Sequence, residues 1–251
     1  METGTEYKLV PGFGNSFGTG WKVMSQNFLR LLLVVIVLGI AVAPLKLFNL
    51  NIGPSDFHGA PWNWDWDDHR VMEHMLGLAS LGIFAAFMAL VAILYKFLVS
   101  PVIEFGADII FVRAVRKTQP DFEDLIRGFV QNYLHIVLAN LLVIALVVMG
   151  VFVFIIPGII IGCRLAFVSY IVMDKKLDPI EAVELSWKLT RGHGWKIFFM
   201  GVVSCFIFLF GLILMIVGIF PALIWIKSSF AALYESVLRQ KEQPAEVIPA
   251  E

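Results

Sequence analysis

Long uninterrupted apolar runs, rather than amphipathic alternation, dominate this chain. One crossing of a bilayer needs about 20 apolar residues to cover a hydrocarbon core of about 30 Å. The first such run is 28–48, with Pro44 near its far end. A second begins at Met75, meets no charge until Lys96, and continues to Val112 past Pro101, Glu104 and Asp108. Residues 136–163 carry no charge, and beyond Arg164 the apolar run resumes to Met173. That stretch is too long for one crossing and breaks at Pro157-Gly158, predicting a third span at 133–156 and a short fourth at 158–173. The uncharged run 197–226 divides near Gly218 and Pro221 into a fifth span at 195–218 and a sixth at 221–238, which carries Lys227. The expectation is an all-α, polytopic, six-helix transmembrane bundle over 28–238, between an N-terminal segment (1–27) and a tail (239–251).

Composition narrows the class further. Of 251 residues, 59% are hydrophobic and 16% charged, against about 25% charged in soluble domains. A mean hydropathy of +0.83 excludes a water-soluble globule or a disordered chain. The net charge of −1 gives no pull toward nucleic acid. Cys163 and Cys205 lie inside apolar runs, which excludes a disulfide-stapled secreted domain. The 31–40 run followed by Ala41-Val42-Ala43 mimics the end of a signal peptide. Some thirty residues precede it, however, and Pro44 would follow the cut, so the segment is kept as the first span.

Lysine and arginine set the orientation. With six spans, one side receives both termini and the 113–132 and 174–196 loops, with most of the basic residues, among them Arg113, Arg116, Lys117, Lys175, Lys176 and Arg191. The opposite 49–74 loop carries Arg70 against Asp56, Asp65, Asp67, Asp68 and Glu73. Both termini are therefore expected in the cytoplasm and the acidic loop outside.

Placing Pro120 over Pro179 aligns two stretches, about 98–158 and 157–222, at an offset of 59 residues. Each reads as a helix entering the cytoplasm, a basic turn, a Pro-started amphipathic helix, and a long apolar helix ending in a proline turn. The expected unit is a duplicated span–amphipathic helix–span motif about an axis along the membrane normal. In the second copy Asp178 suits the N-cap, Pro179 the first helical position, and Glu181 completes a capping box. Glu181, Glu184, Lys188 and Arg191 form one polar stripe, and Gly192 ends the helix. Such a helix is expected to lie in the headgroup plane, with Trp187 and Trp195 as interfacial anchors.

The run Ile156-Pro157-Gly158-Ile159-Ile160, then Arg164-Leu165-Ala166-Phe167, then Ala182-Val183-Glu184-Leu185-Ser186-Trp187-Lys188-Leu189-Thr190-Arg191-Gly192, resembles the glycerophosphoryl diester phosphodiesterase membrane-domain family and related six-helix bacterial inner-membrane proteins. Pro101…Gly106 and Arg127-Gly128-Phe129 also look like that pattern, so the resemblance covers about 95–235. It implies a multi-pass fold and an inner-membrane location. The phosphodiesterase barrel that gives the family its name does not fit within this length, so the resemblance implies no activity.

Charges inside spans are costly, by about 2.5–3.5 kcal/mol on insertion scales, and so call for a partner. Glu104 and Asp108 share one face of the second helix, and Arg164 lies at a similar depth on the symmetry-related one, so a contact between Arg164 and either acid, directly or through water, is expected. Such a cluster reads as a polar site between the repeats or, with more weight, as a structural ion pair or snorkelling side chains. The Trp62–His74 loop, with Asp65, Asp68, His69, Glu73 and His74, lacks a recognised metal-ligand spacing and reads as an acidic loop seated at the interface. Gly12-Phe13-Gly14-Asn15-Ser16-Phe17-Gly18 misses the dinucleotide-loop spacing and follows no strand. Ser186 has only His193 nearby in sequence, so a nucleophilic triad is disfavoured, and His135 reads as an interfacial residue. No catalytic, cofactor or metal residues are expected. Two functions stand: a non-enzymatic membrane protein engaging lipid or a partner membrane protein through its cytoplasmic helices, or a small transporter or channel with its site between the repeats.

Overall fold

A computed structural model describes residues 11–47, 68–118, 132–213 and 215–242. Every regular element among them is a helix: α1 (Phe13–Gln26), α2 (Phe28–Leu47), α3 (Asp68–Leu98), α4 (Ser100–Val115), α5 (Tyr133–Val153), α6 (Ile155–Arg164), α7 (Val168–Lys175), α8 (Pro179–Thr190), α9 (Gly194–Ile213) and α10 (Met215–Glu242). The tryptophan-rich part of the acidic loop and the segment beginning at Pro120 lie outside the described residues.

Four stretches are long and apolar enough to cross a membrane: Gly82–Val115, Tyr133–Val153, Ile155–Lys175 and Gly194–Ile213. The pair α1 and α2, bent by 97°, makes a fifth if taken as one span. The third, fourth and fifth expected spans correspond to the last three stretches. The sixth, 221–238, lies within α10, which is not among these stretches. Lys227 and Glu235 lie on it, and protein surrounds its second half: Ala231, Leu233, Tyr234 and Val237 are all buried. A helix enclosed by other helices can carry charges that a lipid-facing one cannot.

Three helices form the core. α4 packs against α7 and α10, and Ile110, Phe111, Phe167, Ile171, Leu233 and Tyr234 meet between them, all nearly inaccessible. Tyr170 and Tyr234 stack with ring centroids 5.2 Å apart, within the range of favourable aromatic pairs. Around this core, α5 and α9 present Leu134, Leu138, Val148, Phe206 and Phe210 outward, as membrane-facing helices do. α10 touches α1, α2, α4, α8 and α9 and is the central post.

Two breaks shape the layout. Between α3 and α4 the chain turns at Val99, and Pro101 occupies the first turn of α4, where its missing N–H removes no helical bond. Between α6 and α7, residues 165–167 interrupt the helix, with the Leu165 N–H donating to Ile161 O and the Val168 N–H to Leu165 O. That interruption leaves the Arg164 carbonyl free for another partner.

The glycine-rich 12–18 segment, unassigned from its sequence, belongs to a helix. Phe13, Phe17, Gly20 and Met24 fall at helical spacing, and α1 lies along α10. There Phe17 packs edge-on against Trp225 at 5.9 Å, and the Trp225 indole N–H donates to Phe17 O at 3.0 Å. Gly20 allows the approach: a Cβ there would lie 2.3 Å from Ser229 Oγ and 2.8 Å from its backbone nitrogen.

Candidate functional site

α4 and α7 finish beside the C-terminal half of α10, and the charges at their ends interlock. Arg116 donates through both terminal nitrogens to Asp174, at 2.5 and 2.7 Å, and through Nε to Glu235 Oε2 at 2.8 Å. Tyr234 OH donates to Asp174 at 3.0 Å, and Arg239 Nε donates to Glu235 Oε1 at 2.8 Å. Burial alone would lower the Arg116 pKa, but its hydrogen bonds and charge pairing with Asp174 and Glu235 outweigh that and raise it. The guanidinium stays charged. Lys175 pairs with Glu242, Lys241 donates to the Lys188 carbonyl, and Lys196 Nζ donates to Pro11 O at 2.9 Å. These contacts gather positions 11, 116, 174, 188, 196 and 242 at one end of the bundle.

The acids expected inside the membrane are placed differently from one another. Asp108 is buried and accepts a 2.6 Å ion-pair bond from Lys227 Nζ of α10. Glu104, one turn earlier, is exposed and accepts a bond from Ser100 Oγ at 3.0 Å. It borders a cavity of about 240 Å³ together with Lys96 and Asn140. Among the described residues Arg164 pairs with neither acid, contrary to the expected contact. The reason is azimuthal: α4 turns Asp108 toward α10, whereas Arg164, the last residue of α6, meets α8.

α8 is fixed by that meeting. Ser186 Oγ donates to the freed Arg164 carbonyl at 2.8 Å, and Thr190 Oγ1 lies 3.2 Å from the same oxygen. Ala182, Ser186, Leu189 and Thr190 form its buried face. Trp187 lies off this face, 44% exposed, and Trp195 is 76% exposed. The Arg164 guanidinium carbon sits 5.7 Å from the Trp187 ring centroid, a cation–π distance. Arg164 Nη1 is buried and without a hydrogen-bond partner among the described residues.

Asp178 and Pro179 start α8 as expected, but no side-chain capping bond forms. The Asp178 carboxylate instead lies 2.8 Å from His135 Nε2, because α8 docks beneath the start of α5. Gly192 follows the helix with φ +89°, a conformation that favours glycine.

The Arg116–Asp174–Glu235 cluster was not singled out from the sequence. Its one visible sign is Glu235, an acid set among Ala231, Ala232, Leu233, Val237 and Leu238. No family model, curated protein or solved structure matches this chain.

Proposed function

We propose that the chain is a non-enzymatic, multi-pass protein of a bacterial inner membrane that engages lipid, or a membrane protein partner, through helices at its basic end. The observation that carries this reading is α8. An amphipathic helix is tethered through Ser186 and Thr190 to a break in an apolar span, with Ile180, Trp187 and the neighbouring Trp195 outward. An apolar and aromatic surface beside Lys188, Arg191 and Lys196 suits a bilayer interface with anionic headgroups.

The same reading has both termini and the basic loops in the cytoplasm, the 49–74 loop outside, and six crossings, with α2 and α10 as first and sixth. The Lys and Arg bias supports that orientation. A duplicated unit draws support from backbone geometry. Among the described residues, the non-glycine positions with positive φ are Lys117 (58°) and Lys176 (52°), 59 residues apart. Each ends a core helix, α4 or α7, just before a proline three residues on. The transporter alternative would place its site between the repeats near Glu104, Asp108 and Arg164, where no direct ion pair joins Arg164 to either acid among the described residues.

Single-cysteine labelling of intact cells tests the reading. An impermeant maleimide should label Asp67→Cys and spare Lys176→Cys until the membrane is opened. Labelling of position 176 alone would invert the topology. Spin labels along 180–190 should show accessibility with a period near 3.6, and uniform water exposure would count against membrane contact.

A further inference from the structure

A half-open cavity of about 540 Å³ lies between α6 and α9, beside the end of α8. Its walls are Ile156, Ile159, Ile160 and Phe198, and Trp195 and Arg164 stand at one end. The three isoleucines are well exposed, so the cavity opens on the membrane-facing side and not into the core. From Ile156 to Arg164 it follows α6 for roughly 12 Å at 1.5 Å per residue, the length of a partial acyl chain rather than of a small soluble molecule.

The polar end is cationic and unbalanced. Arg164 keeps one terminal nitrogen buried and unbonded, and a buried donor left unmade is expensive. Lys241 lies close by, its pKa pushed down by burial first and then by the charges of Arg191 and Arg164. Among the described residues no carboxylate pairs with Arg164, Arg191 or Lys241. Three like charges held together without an acid favour an anion between them, and a guanidinium binds phosphate oxygens in a fork geometry that lysine cannot match. The Trp187 ring lies beside the Arg164 guanidinium at a cation–π distance, next to the break that ends α6.

We infer that the α6–α9 cavity is a site for one anionic phospholipid, its acyl chain along Ile156, Ile159 and Ile160 and its phosphate on Arg164. Apolar walls open to the bilayer favour a lipid over free phosphate, and three cations without an acid disfavour a zwitterionic headgroup, whose own cation they repel. The inference rests on the interfacial reading of α8 and adds a ligand class and a residue to it.

The test uses the full-length chain purified in detergent, with native mass spectrometry after titration with phosphatidylglycerol, phosphatidylcholine or inorganic phosphate. The parent should retain one phosphatidylglycerol, with phosphatidylcholine at least tenfold weaker. Arg164→Gln should weaken phosphatidylglycerol retention roughly tenfold, the loss of one charge-assisted contact. Ile160→Trp keeps every charge but fills the groove, and should displace the lipid without altering helicity by circular dichroism; it decides the matter if Arg164→Gln fails to fold. Equal retention by both variants and the parent overturns the site. So does equal binding of phosphatidylcholine, or saturation by inorganic phosphate alone, which would make it a soluble-anion site. The cysteine labelling at positions 67 and 176 is independent. Expected labelling with lipid retention indifferent to Arg164 and Ile160 sinks this site alone, whereas inverted labelling with Arg164-dependent retention sinks the topology and leaves the site.

Discussion

Arg116→Met isolates the energetic weight of the junction between α4, α7 and α10. The substitution keeps an unbranched side chain of similar length and removes only the charge and its donors. Two carboxylates then lose a partner, but unequally. Glu235, whose side chain is 5% exposed, still accepts from Arg239 at 2.8 Å. Asp174, 11% exposed, keeps the Tyr234 hydroxyl at 3.0 Å. Removing one member of a buried pair costs about 3–5 kcal/mol. The Arg116 side chain is 28% exposed, so solvent screening puts the expected loss at about 3 kcal/mol, about a hundredfold in the folding equilibrium. Adding Asp174→Asn to Arg116→Met neutralises the orphaned acid and should recover at least half of that loss. Equilibrium unfolding in mixed micelles with increasing dodecyl sulfate, followed by circular dichroism, measures all three variants against the parent. The Arg116 pKa is raised on folding, so its contribution is complete at every pH below the ordinary arginine range. The deficit should therefore be the same at pH 6 and pH 8. A single variant within about 0.5 kcal/mol of the parent, or a double variant no better than the single, would refute the assignment.

Gly20→Val should force α1 away from Ser229 and destabilise by about 1–3 kcal/mol, while Gly18→Ala, where a Cβ meets open space, should be neutral or slightly stabilising in the same thermal assay. Lys227→Met leaves buried Asp108 without its ion-pair partner and should lower thermal stability, and Asp108→Asn in that background should restore part of it, with a flat response excluding a structural pair. Burial, with Lys196 and Lys241 adding to it, lowers the His193 pKa. Its unfolded form therefore binds protons first, and stability should fall as pH drops through the ordinary histidine value of about 6.5. His193→Gln should flatten that slope between pH 7.5 and 5.5.

The extent of the apolar helices was legible in the sequence, and direction around each helix was not. The apolar runs located α5, α6–α7 and α9 because hydropathy reports distance from water. Pro179 and Gly192 located α8 because their backbone restrictions act locally. The partner of Asp108 depended on which way α4 faces, set by the fit of Ile110 and Phe111 against α7 and α10. Arg116 meets residues 58 and 119 positions away, and no local spacing encodes such a contact. α1 was hidden for the opposite reason. Gly14, Gly18 and Gly20 weaken a helix on propensity, yet Gly20 is what brings the segment close to Ser229.

The position of α10 has a bearing on biogenesis. It follows every other helix of the described residues, yet it carries the surface on which α1 lies, the lysine that neutralises Asp108, and the glutamate that shares Arg116. Until ribosomes have extended the chain through residue 239, an inserting polypeptide holds an uncompensated acid within α4, at a penalty of a few kcal/mol in lipid. The earlier helices therefore cannot lock into their final arrangement as they emerge. Closure therefore waits on α10, and a polypeptide truncated before Lys227 leaves Asp108 without its partner.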